Sequence, residues 1–124
     1  MREGKSLKLS KIQKLLKTET ICQNHSELEI LTACGADLMS DVLAFSKEKT
    51  LLLTGLTNPQ VVRTAEMIDL ELIIFVRGKQ PPEKTISLAQ EQGITLLKTA
   101  KPLYEACGLL YSVGVQSEVL NDID

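Results

Sequence analysis

Apolar and polar positions fall into blocks along the last two-thirds of the chain, and one phrase recurs three times. A short apolar run is followed by a polar or glycine-bearing loop and then by a proline that opens a helical pattern. The copies are LLLTGLTNP (residues 51–59), LIIFVRGKQPP (72–82) and TLLKTAKP (95–102). Nearly continuous Val, Ile and Leu runs mark parallel strands covered on both faces, and proline suits the first turn of a helix, where its missing N–H has no partner anyway. The phrase predicts strand, loop and helix in succession. Asn58 is expected as the N-cap and Pro59 as the first residue of a helix whose stripe is Val61, Val62, Ala65 and Ile68. A further helix is expected from Pro82 to Gln92, closed by Gly93 in the left-handed conformation. The run from Ile94 to Lys98 then leads to Leu103, Ala106, Cys107 and Leu110, spaced i, i+3, i+4, i+7, with Gly114 as the stop.

The first 50 residues are less regular. Ser10-Lys11-Ile12-Gln13 has the form of a capping box and predicts a helix over 11–17, with Ile12, Leu15 and Leu16 on one face. Thr20–Cys22 reads as a small strand, 23–26 as a polar turn and 28–33 as a second strand. Asp37 is expected to cap a helix carrying Leu38, Met39, Val42, Leu43 and Phe45 toward the core, before a charged turn at Lys47-Glu48-Lys49. Repeated strand–helix units require parallel pairing and right-handed crossovers. The expected fold class is therefore α/β: a single compact domain with a small, mainly parallel sheet flanked by helices. Residues 1–7 read as a flexible N-terminus, 8–114 as the domain and 115–124 as a C-terminal tail.

Composition narrows the function more than the fold. The 124 residues carry a net charge of −2 and only 3% aromatics, which leaves little to attract or stack nucleic acid, so no nucleic-acid partner is expected. No apolar run nears the ~18 residues of a membrane helix and no signal-peptide core is present, so the reading is cytoplasmic with no membrane partner. Cys22, Cys34 and Cys107 are odd in number and widely spaced, as in a reducing compartment. Cys22, His25 and Cys34 supply three metal-ligand types, but structural zinc needs four, and neither a metal nor another cofactor is expected.

The loops after the three strands concentrate polar chemistry. Thr54, Gly55, Thr57 and Asn58 precede a helix start, while Arg77, Lys79, Lys98 and Lys101 supply positive charge. Helix N-termini and glycine-rich turns favour anions, and Arg or Lys engages phosphate oxygens. The candidate ligand-binding residues are Gly55, Thr57, Asn58, Arg77 and Lys79, for a nucleotide or another small phosphorylated anion. No complete phosphate-binding fingerprint is present: Gly4-Lys5-Ser6 stands too near the N-terminus to end one, and no G-x-G-x-x-G occurs. Asp37 and Asp41 read as an i, i+4 pair on one helix, more in keeping with its positive end than with acid–base work. An enzymatic reading would have to join Cys34 or Cys107 to one of them in a shared pocket.

The stretch ACGADLMSDVLA (33–44), followed by LLLTGLTNPQVVRTAEMIDLELIIFVRGK, TLLKT and LYEACGLLYSVG, resembles the DRTGG domain family, most closely its short stand-alone members, over about Lys8 to Gly114. Thr54-Gly55-Leu56 matches the Thr-Gly-Gly part of the family's name, with leucine at the second glycine, and no Asp-Arg pair occurs. The resemblance implies a fold similar to the N-terminal domain of bacterial HPr kinases and a regulatory or ligand-sensing role without catalysis. It also implies pairing as a homodimer, a response to adenine nucleotides, and association of stand-alone members with redox enzymes. The expected function is a non-catalytic regulatory domain binding an adenine nucleotide or similar anion at the strand ends. The alternative is a protein-interaction subunit that dimerises or joins an enzyme complex without a small ligand.

Overall fold

The computed structural model describes residues 6–24, 28–45 and 50–117. The expectations for His25 and Ser26, the Phe45 side chain, the Lys47-Glu48-Lys49 turn, and the chain before residue 6 and after 117 lie outside the described residues. The elements in chain order are β1 (Leu7–Lys8), α1 (Leu9–Leu16), β2 (Glu19–Cys22), β3 (Glu29–Ile30), β4 (Thr32–Gly35), α2 (Met39–Phe45), β5 (Thr50–Thr54), α3 (Pro59–Met67), β6 (Leu72–Phe75), α4 (Glu83–Gln92), β7 (Thr95–Lys98) and α5 (Leu103–Ser112). The main sheet runs β2-β7-β6-β5-β4, with β4 to β7 parallel and β2 antiparallel on the edge. A separate antiparallel pair joins β1 to β3, with Leu7 opposite Ile30. This is the expected α/β domain, a mainly parallel sheet between helices.

The apolar runs are continuous because both sheet faces are covered. Leu51, Leu53, Leu72, Ile74 and Leu97 meet Leu9, Ile12 and Leu16 of α1 and Ala106 and Leu110 of α5. Leu52, Ile73, Phe75 and Leu96, one position out of step, meet Val42 of α2, Val61, Val62 and Ala65 of α3 and Ala89 of α4. Strand side chains alternate between faces, so each run feeds two cores. Strands β4 to β7 are added side by side in chain order, and right-handed crossovers then put α2, α3 and α4 on one face. After β7 the chain crosses to the other face, where α5 packs on α1, β4 and β5.

Local signals around the repeated phrase are realised closely. Asn58 is the N-cap of α3, its Oδ1 accepting the Gln60 N–H at 3.0 Å, and Pro59 is the first helical residue. Gly93 closes α4 with φ 72° and Gly114 follows α5 with φ 105°. Pro82 and Pro102 occupy the N-cap position itself, one residue before the helix, in extended conformation.

Five local expectations are corrected. Helix α1 starts at Leu9 with Lys8 as its cap residue and no side-chain cap bond, so Ser10 lies inside the helix and no capping box forms. The run 28–33 is not one strand, because a bend at Leu31 sends Glu29–Ile30 to β1 and Thr32–Gly35 to the main sheet. On α2, Val42 is buried and Met39 half-buried, whereas Leu38 and Leu43 face solvent at 60% and 41% exposure. Asp37 stands before α2 without capping it, which also breaks its i, i+4 relation to Asp41. Of the segment read as a tail, Val115 is buried in the α1–α5 core and Gln116 pairs with Thr32 in a parallel bridge.

Candidate functional site

At the carboxyl end of the sheet the loops after β4, β5, β6 and β7 lie side by side. Thr54 and Phe75 are register partners at the ends of β5 and β6, and Val76 N–H continues the ladder to the Thr54 carbonyl at 3.0 Å. This brings the Thr54–Asn58 loop against the Val76–Lys79 turn. The Asp37 carboxylate projects into the same place from the loop after β4. Its Oδ1 accepts the Thr54 hydroxyl at 2.9 Å and the Gly55 N–H at 2.8 Å. Thr54 Oγ1 in turn accepts the Leu56 N–H at 3.1 Å. The donors expected to greet an anion at Gly55 are thus turned onto an internal carboxylate.

Thr57 and Asn58 are also tied into the fold. The Thr57 carbonyl accepts the hydroxyl of buried Thr85 at 2.7 Å, which fastens the loop to the first turn of α4. Asn58 Oδ1 is engaged in the α3 cap, and the residue is exposed. Of the five predicted ligand-binding residues, Gly55, Thr57 and Asn58 share one loop, and Arg77 and Lys79 flank it on the next.

In an open α/β sheet the ligand crevice forms where neighbouring strands send their loops to opposite faces. Here that point lies between β6, which leads to α4, and β7, which leads to α5. Backbone bonds close it: Arg77 N–H donates to the Lys101 carbonyl at 3.0 Å and Gly78 N–H to the Thr99 carbonyl at 2.7 Å. Arg77 adopts φ 59° and Gly78 φ 66°, a left-handed pair that the second residue, as glycine, accepts readily. Thr99 anchors the neighbouring loop from beneath. Its hydroxyl donates to the Leu16 carbonyl at 2.6 Å and accepts the Lys101 N–H at 3.3 Å.

The four cations at this end are not equivalent. Lys98 Nζ lies 3.7 Å from Glu19 and 2.9 Å from Gln80 Oε1, and Lys101 Nζ lies 3.4 Å from Glu105. Arg77 and Lys79 are exposed and have no ion pair among the described residues. The strand-end surface therefore offers two uncommitted positive side chains beside the Thr54–Asn58 loop, into which Asp37 reaches from the loop after β4 with one negative charge.

A further groove lies elsewhere. A groove of about 600 Å³ runs between α5 and β4, lined by Ala33, Gly35, Tyr104, Cys107 and Gly108, among others, and ending at Gln116 and Ser117. A Cβ at position 35 would lie 2.6 Å from Cys107 Sγ, so glycine is what lets α5 sit this close to β4. Of the residues along this groove the sequence singled out Cys107 alone as a reactive group, and nothing in the spacing of the others pointed to a shared cavity.

The thiols do not assemble a reactive centre. Cys22 is buried, with its Sγ donating to the Ile94 carbonyl at 3.4 Å; burial pushes its thiol up, opposed by the Leu96 backbone N–H. Burial also pushes up Cys107, on the α5 face, whereas Cys34 belongs to the core under α2, α3 and α4. Cys34 and Cys107 are therefore on opposite faces of the sheet. Among the described residues no group of three His, Cys, Asp or Glu side chains is placed to hold a metal ion. No helix of the described residues is long and apolar enough to cross a membrane.

The chain has the fold of a known regulatory region. It is similar in structure to the CBS and DRTGG domains of the regulatory region of Clostridium perfringens pyrophosphatase, solved in complex with the activator diadenosine tetraphosphate. The TM-score is 0.72 at 18% sequence identity, over 91% of this chain and 51% of that one. This chain thus spans about half the length of its structural relative, and at this identity the likeness is one of fold. No protein-family model matches the sequence, and no curated protein does so.

Proposed function

We propose that this chain is a non-catalytic regulatory domain of the DRTGG type that binds an adenine nucleotide or a similar phosphorylated anion at the carboxyl end of its sheet. The observation that carries this reading is the fold likeness to a regulatory region crystallised with a dinucleotide tetraphosphate. Arg77 and Lys79 supply the charge for the phosphates, as exposed side chains without ion pairs among the described residues. Thr57 and Asn58 border the same surface. Gly55 joins only if Asp37 releases its N–H, because the carboxylate now holding it repels phosphate. Titration calorimetry with AMP, ADP, ATP and diadenosine tetraphosphate tests the reading. Saturable binding that weakens at least tenfold in the Arg77→Ala/Lys79→Ala variant supports it, and no heat from protein shown to be folded removes it.

A second reading is a protein-interaction subunit, forming a homodimer or joining a redox enzyme without any small ligand. It is favoured by apolar side chains left in solvent on neighbouring helices, Leu38 before and Leu43 on α2 and Met67 on α3, the last 66% exposed. Sedimentation velocity of the wild type against Leu43→Glu/Met67→Glu distinguishes it. Self-association abolished by the glutamates supports the dimer, and a monomer at all concentrations removes it.

A further inference from the structure

Charge is divided unevenly along the chain. Residues 1–18 contain six Lys or Arg and one Glu, whereas the rest contains eight Lys or Arg against fifteen Asp or Glu. Much of the positive part is carried by α1, whose inner face commits Leu9, Ile12 and Leu16 to the core. Lys8, Lys11, Lys14 and Lys17 recur every third residue, so they step round the outer half of the helix by about 60° at a time. All four are exposed, and among the described residues none has an ion pair, the pairs there being Lys98–Glu19 and Lys101–Glu105. Lys8 stands opposite Glu29 in the β1–β3 pair, but α1 itself contains no carboxylate.

Stability does not call for this arrangement. Like charges three residues apart on a helix repel, and positive groups near its N-terminal end oppose the dipole. A carboxylate at position 11 would serve the fold better than lysine. Beside the lysines lies an apolar recess. A groove of about 600 Å³ between α1 and the end of α5 is lined by Leu7, Ser10, Lys11, Lys14, Leu15 and Val113. Leu7 and Leu15 are half-buried, and Val113, just after α5, is 42% exposed. Two lysines thus border an apolar floor.

We propose that this groove docks an acidic amphipathic segment of a partner protein, with an apolar side chain of the segment resting on Leu15 and Val113 and its carboxylates meeting Lys11 and Lys14. A protein segment is favoured over a membrane because the apolar face of α1 is already committed to the core, so the helix has none to insert between lipids. It is favoured over nucleic acid because no aromatic side chain and no arginine is among the described residues lining the groove, to stack a base or grip a phosphate. The surface lies on the opposite side of the sheet from Leu43 and Met67, and the proposal does not depend on the nucleotide reading.

Fluorescence anisotropy of the full chain with a labelled peptide of about 15 residues, built from Glu and Leu at helical spacing, tests it. Saturable binding is expected, weakening at least about tenfold in Lys11→Gln/Lys14→Gln and likewise at about 0.5 M salt. A peptide of the same charge with serine in place of leucine should bind several-fold more weakly, because it leaves the apolar floor bare. Lys11→Glu separates docking from folding: a carboxylate in the first turn should keep the thermal midpoint at or above that of the wild type while peptide binding is lost. No binding by the folded chain overturns the proposal, as does equal affinity for the serine peptide. So does tighter binding to phosphatidylserine vesicles or duplex DNA with the same lysine dependence, or a lowered midpoint in Lys11→Glu, which would make the lysine a structural residue.

Discussion

Asp37 Oδ1 accepts the backbone N–H of Gly55 at 2.8 Å, a side chain from the loop after one strand satisfying the backbone of the loop after the next. The same oxygen takes the Thr54 hydroxyl, so one exposed carboxylate fixes the mouth of the loop. Asp37→Asn keeps an acceptor in place and removes only the charge. It should cost less than about 1 kcal/mol in urea denaturation, whereas Asp37→Ala, which strands both donors, should cost about 1–2 kcal/mol. If phosphate lies beside Gly55, Asp37→Asn also binds ADP several-fold more tightly in calorimetry. Unchanged affinity would place the phosphates away from this loop.

Arg77 separates folding from binding. Its φ of 59° is unfavourable for a residue with a Cβ, so Arg77→Gly should leave stability unchanged or raise it by up to about 1 kcal/mol. The same variant lacks the guanidinium and should lose nucleotide affinity. Thermal unfolding and calorimetry on one sample read both effects, and a loss of stability would mean that the side chain makes a structural contact of its own.

The close approach of β4 and α5 rests on Gly35. Gly35→Ala places a methyl 2.6 Å from Cys107 Sγ and should destabilise the domain by about 1–3 kcal/mol. Cys107→Gly in the same chain removes that collision at the cost of a helical glycine. A double-mutant cycle should therefore show a favourable coupling of about 1 kcal/mol or more.

Asn58→Ala removes the acceptor for the Gln60 N–H and should cost about 1 kcal/mol, while Asn58→Asp should retain nearly all of it. Since Asn58 also borders the proposed anion surface, Asn58→Asp adds a negative charge there without unfolding α3. It should weaken nucleotide binding at wild-type stability.

Burial raises the Cys107 and Cys22 thiols above their ordinary values, since it disfavours the thiolate. The folded state therefore holds their protons more tightly than the unfolded state does. The associated stability is fully present below the unfolded thiol's value, about 8.5, and is lost as pH rises through the higher folded values. Alkylation of either thiol by iodoacetamide at pH 8 should be slower than that of a free cysteine and should accelerate on adding urea. Fast labelling of Cys107 in the native protein would contradict this.

The local physics of single segments was open to reading from the chain. Runs such as Leu51 to Thr54 could only be strands covered on both faces, Asn58-Pro59 could only open a helix, and Gly93 supplied a left-handed stop, because each depends on neighbours within a few residues. Those elements in alternation were enough to set the parallel α/β class. Tertiary contacts decided the rest. The chain could not show that Leu31 divides one apolar run between two sheets, because that depends on β1 and β5 competing for it. Nor could it show that Asp37, well suited to cap α2, bonds instead to donors 17 and 18 residues away. The same holds for the strand-end loops, whose positions follow from the strand order while the bonding of their polar groups does not. Gly55 is engaged internally, and the crevice between β6 and β7 is closed by backbone bonds, because a hydrogen bond goes to whichever partner the fold brings nearest. Sequence by itself determined which segments are strands and helices and where their loops gather. Only the folded chain decided which polar groups in those loops satisfy one another and which, like Arg77 and Lys79, are left facing solvent.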